Sequence, residues 1–257
     1  WTSVGSSVGN GTTLSTSGSY AAAAGTQRYT LLAVTVVNTG ATVTSTVSGT
    51  WGSVAFNSNT PTRFIGQVGN TTGRRVIYLF GFNEADIAAR ANDTITINSS
   101  LNSAATYMHS YMSTYAGVSQ TSSYTFSSDD NGGGNTTTAQ YTSALNTING
   151  SYGASILLVG GTTGGGVTNT DAAANPNTAY AMNVNNVQVG TASGTYATLG
   201  TKAFTGTATT QPTFTFSNNR NVLIGVVLAP SLPNTTTVGT ATATAASTTS
   251  INVSMPY

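Results

Sequence analysis

Charge is what this chain has least of. Its 257 residues carry 7 basic and 6 acidic side chains, 5% charged in all, where a soluble domain is ordinarily about one-quarter charged. The scarcity argues against a nucleic-acid binder that neutralises phosphates with a basic stripe. Net charge is +1, and the basic residues are a single Lys (Lys202) and six scattered Arg. Cysteine is absent, which removes disulfide and thiolate chemistry. Histidine occurs once, as His109, so a histidine-based metal site or catalytic triad lacks partners of its own kind. No apolar run approaches the roughly 20 residues of a membrane-spanning helix. What remains has no recognisable acid/base set, and the expectation is a non-enzyme without a cofactor.

In place of charge there is hydroxyl and amide: 50 Thr, 29 Ser and 24 Asn. A surface made of these groups changes little with pH or salt. It also lacks the charges that ordinarily keep β-rich chains apart. Both properties suit an exported protein that assembles. The chain begins at Trp1, which fits either a trimmed chain or a mature product after removal of a signal segment. Asn10, Asn70, Asn92, Asn98, Asn135, Asn149, Asn234 and Asn252 stand in N-x-Ser/Thr. They are candidate glycosylation acceptors in an extracellular, cell-surface setting.

Strand-like runs recur between Gly, Asn and Ser. Residues 28–37 (RYTLLAVTVV), 74–82 (RRVIYLFGF), 152–160 (YGASILLVG) and 221–229 (NVLIGVVLA) read as the most apolar strands. Shorter β patterns fall at 41–48, 50–56, 93–98, 122–127, 179–189, 196–199, 202–207 and 212–216. Residues 104–116 carry Tyr107, Met108, Tyr111, Met112 and Tyr115, a spacing open to a helix face or a long strand. The Tyr and Thr content favours the strand. One helical turn is expected over 84–90, behind an Asn83 N-cap. Many short strands with frequent turns predict an all-β fold, an antiparallel β-sandwich of jelly-roll type, over residues 1–230. Pro230-Ser231-Leu232-Pro233 then sets off residues 231–257, too short to bury a core of their own.

The order of these segments carries a resemblance. The opening RYTLLAVTVV is followed by Thr-rich strands ending in a Trp-Gly turn (VSGTWGSVAF), then RRVIYLFGF, DTITIN, YMSTYAGVSQTSSYTFSS and a closing NVLIGVVLAP. This resembles β-sandwich domains of large secreted bacterial and archaeal surface proteins, from Trp1 to about Pro230. In such proteins fibronectin type III modules often follow. The tail PNTTTVGTATATAASTTSINVSMPY is similar to the first two strands of such a module, without the rest of it. In composition the chain also resembles strand-exchanging filament subunits of thermophilic archaea and bacteria. The pattern implies a fold and a setting; no catalytic residues come with it.

Several residues invite a chemical reading. Asp129 and Asp130, in Asp129-Asp130-Asn131-Gly132, offer hard oxygen ligands for Ca²⁺, but the spacing lacks the distal Glu of the calcium-loop template and suits an Asx-type turn. Glu84, Asp86 and Asp93 stand near Arg74, Arg75 and Arg90 in sequence, as a local salt-bridge set or a subunit contact. GNTTGRR and GGTTGGG are glycine-rich but lack the Gly-Lys-Ser/Thr ending of a phosphate loop. Tyr107, Tyr111, Tyr115, Tyr124 and Tyr141 offer either a sugar platform or core packing. An intramolecular Lys–Asn crosslink, of the kind some pilins carry, has only Lys202 to use, with no obvious partner motif in the sequence. Trp1 has no local core and would dock on the domain or on a neighbour.

The function expected from these features is a structural subunit of an extracellular filament, pilus- or sheath-like. Its partner is itself, joined head to tail by β-strand donation. The tail donates, with Val238, Ile251, Val253 and Met255 as inserted side chains at the subunit interface. The segment 1–17, with Val4, Val8 and Leu14, is the rival donor. The alternative is a glycan-binding adhesin or virion surface domain.

Overall fold

The β-branched and aromatic runs become strands because their side chains pack well on a pleated surface. A computed structural model of the chain describes residues 1–9, 13–38, 46–57, 63–70, 73–100, 106–121, 124–130, 135–160, 166–189, 194–231, 242–247 and 250–254. The first half contains β1 (Thr2–Gly9), β2 (Thr13–Ser19), β3 (Tyr29–Asn38), β4 (Thr46–Trp51), β5 (Val54–Asn57), β6 (Arg63–Asn70), β7 (Gly73–Phe82), α1 (Glu84–Ala89), β8 (Thr94–Ser100) and β9 (Thr106–Tyr115). The second half contains β10 (Tyr124–Asp130), β11 (Thr136–Gln140), β12 (Leu145–Thr147), β13 (Tyr152–Gly160), β14 (Thr168–Thr170), β15 (Ala181–Gln188), β16 (Thr195–Ala203), β17 (Ala208–Thr210), β18 (Thr213–Asn219) and β19 (Asn221–Leu228). A hairpin of β20 (Thr242–Ser247) and β21 (Ser250–Ser254) follows.

Pairing in the first half is nested. β1 pairs with β9, β2 with β8, β3 with β7 and β4 with β5, all antiparallel. This is one long hairpin rolled on itself, the winding of a jelly roll. It forms two sheets, β1-β9-β3-β7-β6 and β2-β8-β4-β5. The second half repeats the nesting: β10 with β19, β11 with β18, β12 with β17 and β13 with β16. Its main sheet, β10-β19-β13-β16-β15, matches β1-β9-β3-β7-β6 strand for strand, extra edge strand included. Its second sheet is β11-β18-β14, with β12-β17 as a separate ladder. Residues 1–230, read from the sequence as one sandwich, thus hold two rolls in tandem.

The two main sheets face each other, giving four layers with three apolar cores between them. The middle core joins Leu31, Ile77, Leu79 and Tyr111 of the first roll to Ile156, Leu158, Leu199 and Ile224 of the second. One outer core places Leu32, Val34, Phe80 and Met112 against Val47, Trp51, Ile95 and Ile97. The other places Leu157, Val159 and Leu223 against Tyr141, Tyr180 and Phe214. A strand buried on both faces has no polar side to show. That is why β13 and β19 read as predominantly apolar runs buried along their length, while β2 and β15 alternate. Each Leu, Ile, Val or Phe so buried contributes about 1.5–3 kcal/mol.

Residues 106–115 form a strand, as their Tyr and Thr content predicts. The helical turn is α1. The Asn83 side chain accepts from the Asp86 backbone N–H at 3.0 Å, and the Asp86 carboxylate accepts from the Asn83 N–H at 3.0 Å. This capping box satisfies two orphan donors, and Ile87 anchors the turn in the core. Residues 202–207 divide between the end of β16 and a turn. The Trp-Gly motif closes the β4–β5 hairpin, with Gly52 at φ 61. The chain leaves the second roll beside the joint between the rolls. There Val118 bridges to Pro230, Ser119 N–H donates to Ala229 O at 2.9 Å, and Ser231 N–H donates to Gly117 O at 2.7 Å. Among the described residues, no helix is long and apolar enough to cross a membrane.

Candidate functional site

The residues expected to join subunits sit at the chain ends. Val4 and Leu14 are 5% and 4% exposed and belong to the outer core of the first roll. β1 is hydrogen-bonded to β9 along its length, with a bulge between Ser3 and Gly5. The side chain of Val8 lies outside the described residues, as do Val238 and Met255. Ile251 and Val253 stand in β21, in register with Ala245 and Ala243. Among the described strands, β20 and β21 pair only with each other.

Asn92, Asn98, Asn135 and Asn149 are exposed; Asn70 stands in β6 and Asn252 in β21. Asn10 and Asn234 lie outside the described residues. The Asn92 side chain accepts from the Thr94 N–H at 2.9 Å, and Asn98 Oδ1 accepts from the Ser15 hydroxyl at 2.8 Å.

A cleft of about 540 Å³ opens where the two rolls meet. Trp1, Ser113, Thr114 and Tyr115 come from the first roll; Tyr152, Thr178, Asn183 and Thr201 come from the second. Trp1 packs against the middle core and donates its indole N–H towards Gly200 O at 3.4 Å. The Tyr115 and Tyr152 rings lie 5.4 Å apart, tilted by 47°. The lining is therefore aromatic faces, hydroxyls, one amide and alanine methyls, with Lys202 at its wall. Nothing in the sequence announced it, because its walls come from segments far apart in the chain.

Of the tyrosines read as a sugar platform or as core packing, three follow the core-packing alternative. Tyr111, Tyr115 and Tyr141 are buried, at 1%, 7% and 1% exposed. Burial pushes all three phenols above their ordinary range. Tyr107 is half-buried, and the side chain of Tyr124 lies outside the described residues. Asp129 and Asp130 stand in β10, in register with Leu223 and Val222, rather than in a turn. Among the described residues no group of three metal-ligating side chains occurs.

His109 stacks on Tyr111 with ring centroids 4.3 Å apart. Its Nε2 lies 2.8 Å from the Ser3 hydroxyl and its Nδ1 lies 3.1 Å from the Tyr111 hydroxyl. Burial holds its pKa below the ordinary value. Both ring nitrogens are occupied by hydroxyls, which is the environment of a packed histidine.

The charged residues around α1 separate into pairs. Glu84 accepts from the Arg28 guanidinium Nε at 3.0 Å and the Arg28 N–H at 2.6 Å, which ties the helix to the start of β3. Arg90 donates to Asp93 at 3.1 Å and lies 4.6 Å from the Trp51 ring centroid. Arg75 belongs elsewhere, donating to the Thr195 hydroxyl of the second roll at 3.2 Å.

Lys202 is paired where the sequence offered no partner. Its Nζ donates to Asp171 Oδ2 at 2.9 Å and to Thr178 O at 2.6 Å. The two side chains are 3% and 0% exposed. Asp171 also accepts from the Thr210 hydroxyl at 2.7 Å and the Gln211 N–H at 3.2 Å. The Tyr180 and Phe204 rings lie 5.7 and 5.4 Å from the ammonium. The separation of 31 residues hid this pair from any local motif.

No protein-family profile and no curated protein matches the chain. Among solved structures the chain is similar to the crystal structure of the STIV MCP, a viral major capsid protein. The match has 9% identity, covers 88% of this chain and 94% of that one, and has a TM-score of 0.25. A likeness that slight assigns neither topology nor function.

Proposed function

We propose that the protein is a structural subunit of an extracellular filament, polymerising by donation of its C-terminal strands to the next copy. The observation that carries this reading is the β20–β21 hairpin, which hydrogen-bonds to no other described strand. A lone two-stranded hairpin is marginal in water. Added to an open sheet edge it gains main-chain hydrogen bonds, and its alternate side chains gain seats. Val238, Ile251, Val253 and Met255 are the inserted side chains in this reading. The rival donor is less suited, since Val4 and Leu14 are already buried in their own roll.

An edge to receive the strands is available. β15 is broken by two register shifts and by Asn186 at φ 56, features that blunt an edge. β6, the corresponding strand of the first roll, pairs with β7 in unbroken register. β10, an edge of the other main sheet, likewise pairs with β19 in unbroken register, so β6 and β10 are the acceptor edges this reading allows. Lysine cannot protect either edge, because Lys202 is the only one and is buried. A head-to-tail contact that does not close yields a filament. The reading carries no catalysis, and it puts glycans at the exposed sequons Asn92, Asn98, Asn135 and Asn149.

Electron microscopy of the purified protein tests it, beside a form lacking residues 232–257. Regular filaments that vanish with the tail are expected. Discrete particles at every concentration, or filaments that persist without the tail, overturn it.

The cleft between the rolls favours a second reading: a glycan-binding adhesin or virion surface domain. Trp1, Tyr115 and Tyr152 supply ring faces, and Asn183, Thr178 and Thr201 supply hydrogen-bonding groups. Saturable quenching of Trp fluorescence by an oligosaccharide, lost in Trp1→Ala, would support it.

A further inference from the structure

A lysine is rarely fully buried, and this chain has placed its only one in the core of the second roll. We infer that Lys202 and Asp171 join covalently, forming an amide between the lysine Nζ and the aspartate Cγ. The inference is independent of how the subunits assemble.

Three features of the site support the bond. The reacting groups are held in contact, with Nζ 2.9 Å from Oδ2, so the encounter is already made. The pair is little exposed: the two side chains are 3% and 0% exposed and the Tyr180 and Phe204 rings flank the nitrogen, while Lys202 also borders the cleft between the rolls. Low exposure of the carboxyl carbon slows hydrolysis of the product. The carboxyl group is also fixed in orientation. The Thr210 hydroxyl donates to Oδ2 at 2.7 Å, and the Gln211 N–H donates to Oδ1 at 3.2 Å. Behind Thr210 stands the Tyr180 hydroxyl at 3.1 Å. Burial raises the pKa of that phenol to about 12, so it keeps its proton.

The step balances without a co-reactant. One proton passes from the ammonium to the carboxylate, leaving a neutral amine beside a neutral acid. The nitrogen lone pair attacks Cγ and the carbonyl π electrons move to Oδ1. A second nitrogen proton then reaches the departing Oδ2 hydroxyl, with the Thr210–Tyr180 hydroxyl pair as relay. The Cγ–Oδ2 bond breaks, the carbonyl re-forms, and one water leaves. The amide nitrogen keeps its last hydrogen. Nothing is oxidised or reduced.

The bond would tie the segment after β14 to β16, fastening the outer sheet of the second roll to its main sheet. The test is the mass of the intact, denatured protein. A deficit of one water molecule against the sequence is expected, with digestion yielding a branched peptide that joins Asp171 to Lys202. Lys202→Met restores the sequence mass. Asp171→Asn is expected to lose ammonia in place of water, which reports the bond through a second leaving group should the Met variant fail to fold. A full sequence mass, or a water deficit mapping to any other residue, overturns the inference and leaves a buried ion pair.

Discussion

Replacing Gly225 with Ala should lower the stability of the second roll by a calculable amount. Gly225 lies in mid-strand on β19, opposite Ser127 of β10 and Ser155 of β13; Ser155 in turn faces Gly200 of β16. Four small residues in register cut a channel across the sheet, and the Tyr141 ring lies over it. A Cβ on Gly225 would overlap the Cζ, Cε1 and hydroxyl atoms of that ring, which is 1% exposed and packed in the core. The ring must tilt away, at an overpacking cost of about 1–3 kcal/mol. Its hydroxyl then loses the Ser155 hydroxyl, its hydrogen-bond partner. Leaving Ser155 unsatisfied costs about 1–3 kcal/mol more. Ala recovers about 0.5–1 kcal/mol of backbone entropy relative to Gly. The net loss is about 3 kcal/mol, a fall of about 6–12 °C in Tm for a chain of this size. Calorimetry of Gly225→Ala, Tyr141→Ala and the double variant checks the cause as well as the size. With the ring removed, Gly225→Ala should cost nothing further. A melting temperature near that of the parent, or an undiminished cost in the Tyr141→Ala background, refutes the reasoning.

Two pH limbs follow from titrating side chains. Burial lowers the His109 pKa from 6.5, so the unfolded chain binds that proton more readily. Its contribution to stability should be complete above pH 6.5 and decline as pH falls towards the folded value; NMR titration of the ring gives the midpoint, and His109→Gln should remove the limb. Hydrogen bonding from Arg28 lowers the Glu84 pKa from 4.5. That contribution should be intact above pH 4.5 and be lost as pH falls through the depressed value, and Glu84→Gln should flatten the acid side of a Tm-against-pH curve.

Inner strands were legible because burial on both faces leaves a run dominated by Val, Ile and Leu, with no alternating polar side, as in β13 and β19. The α1 turn was legible because a capping box is a local device, complete within Asn83 and Asp86. The three-residue strands β12, β14 and β17 were not, since three residues show no period. Nor did the sequence show the tandem rolls. RYTLLAVTVV and YGASILLVG hold the same place in their sheets yet share only apolar character, so the repeat lives in the pairing order. The cleft and the Lys202–Asp171 pair were invisible for a related reason: each is assembled across chain separations that no motif spans.

The clasp at Val118 and Pro230 has a mechanical meaning. The tail does not hang from the free end of a sheet. It departs from a point where residues 229–231 are hydrogen-bonded to residues 117–119, the hinge between the rolls. In a polymer held by its tails, tension would enter each subunit there. Load would fall first on the bonds from Ser119 to Ala229 and from Ser231 to Gly117, and only afterwards on β19. A pulled subunit should therefore yield by opening this clasp before either roll unravels, a small extension that spares the folded layers on both sides.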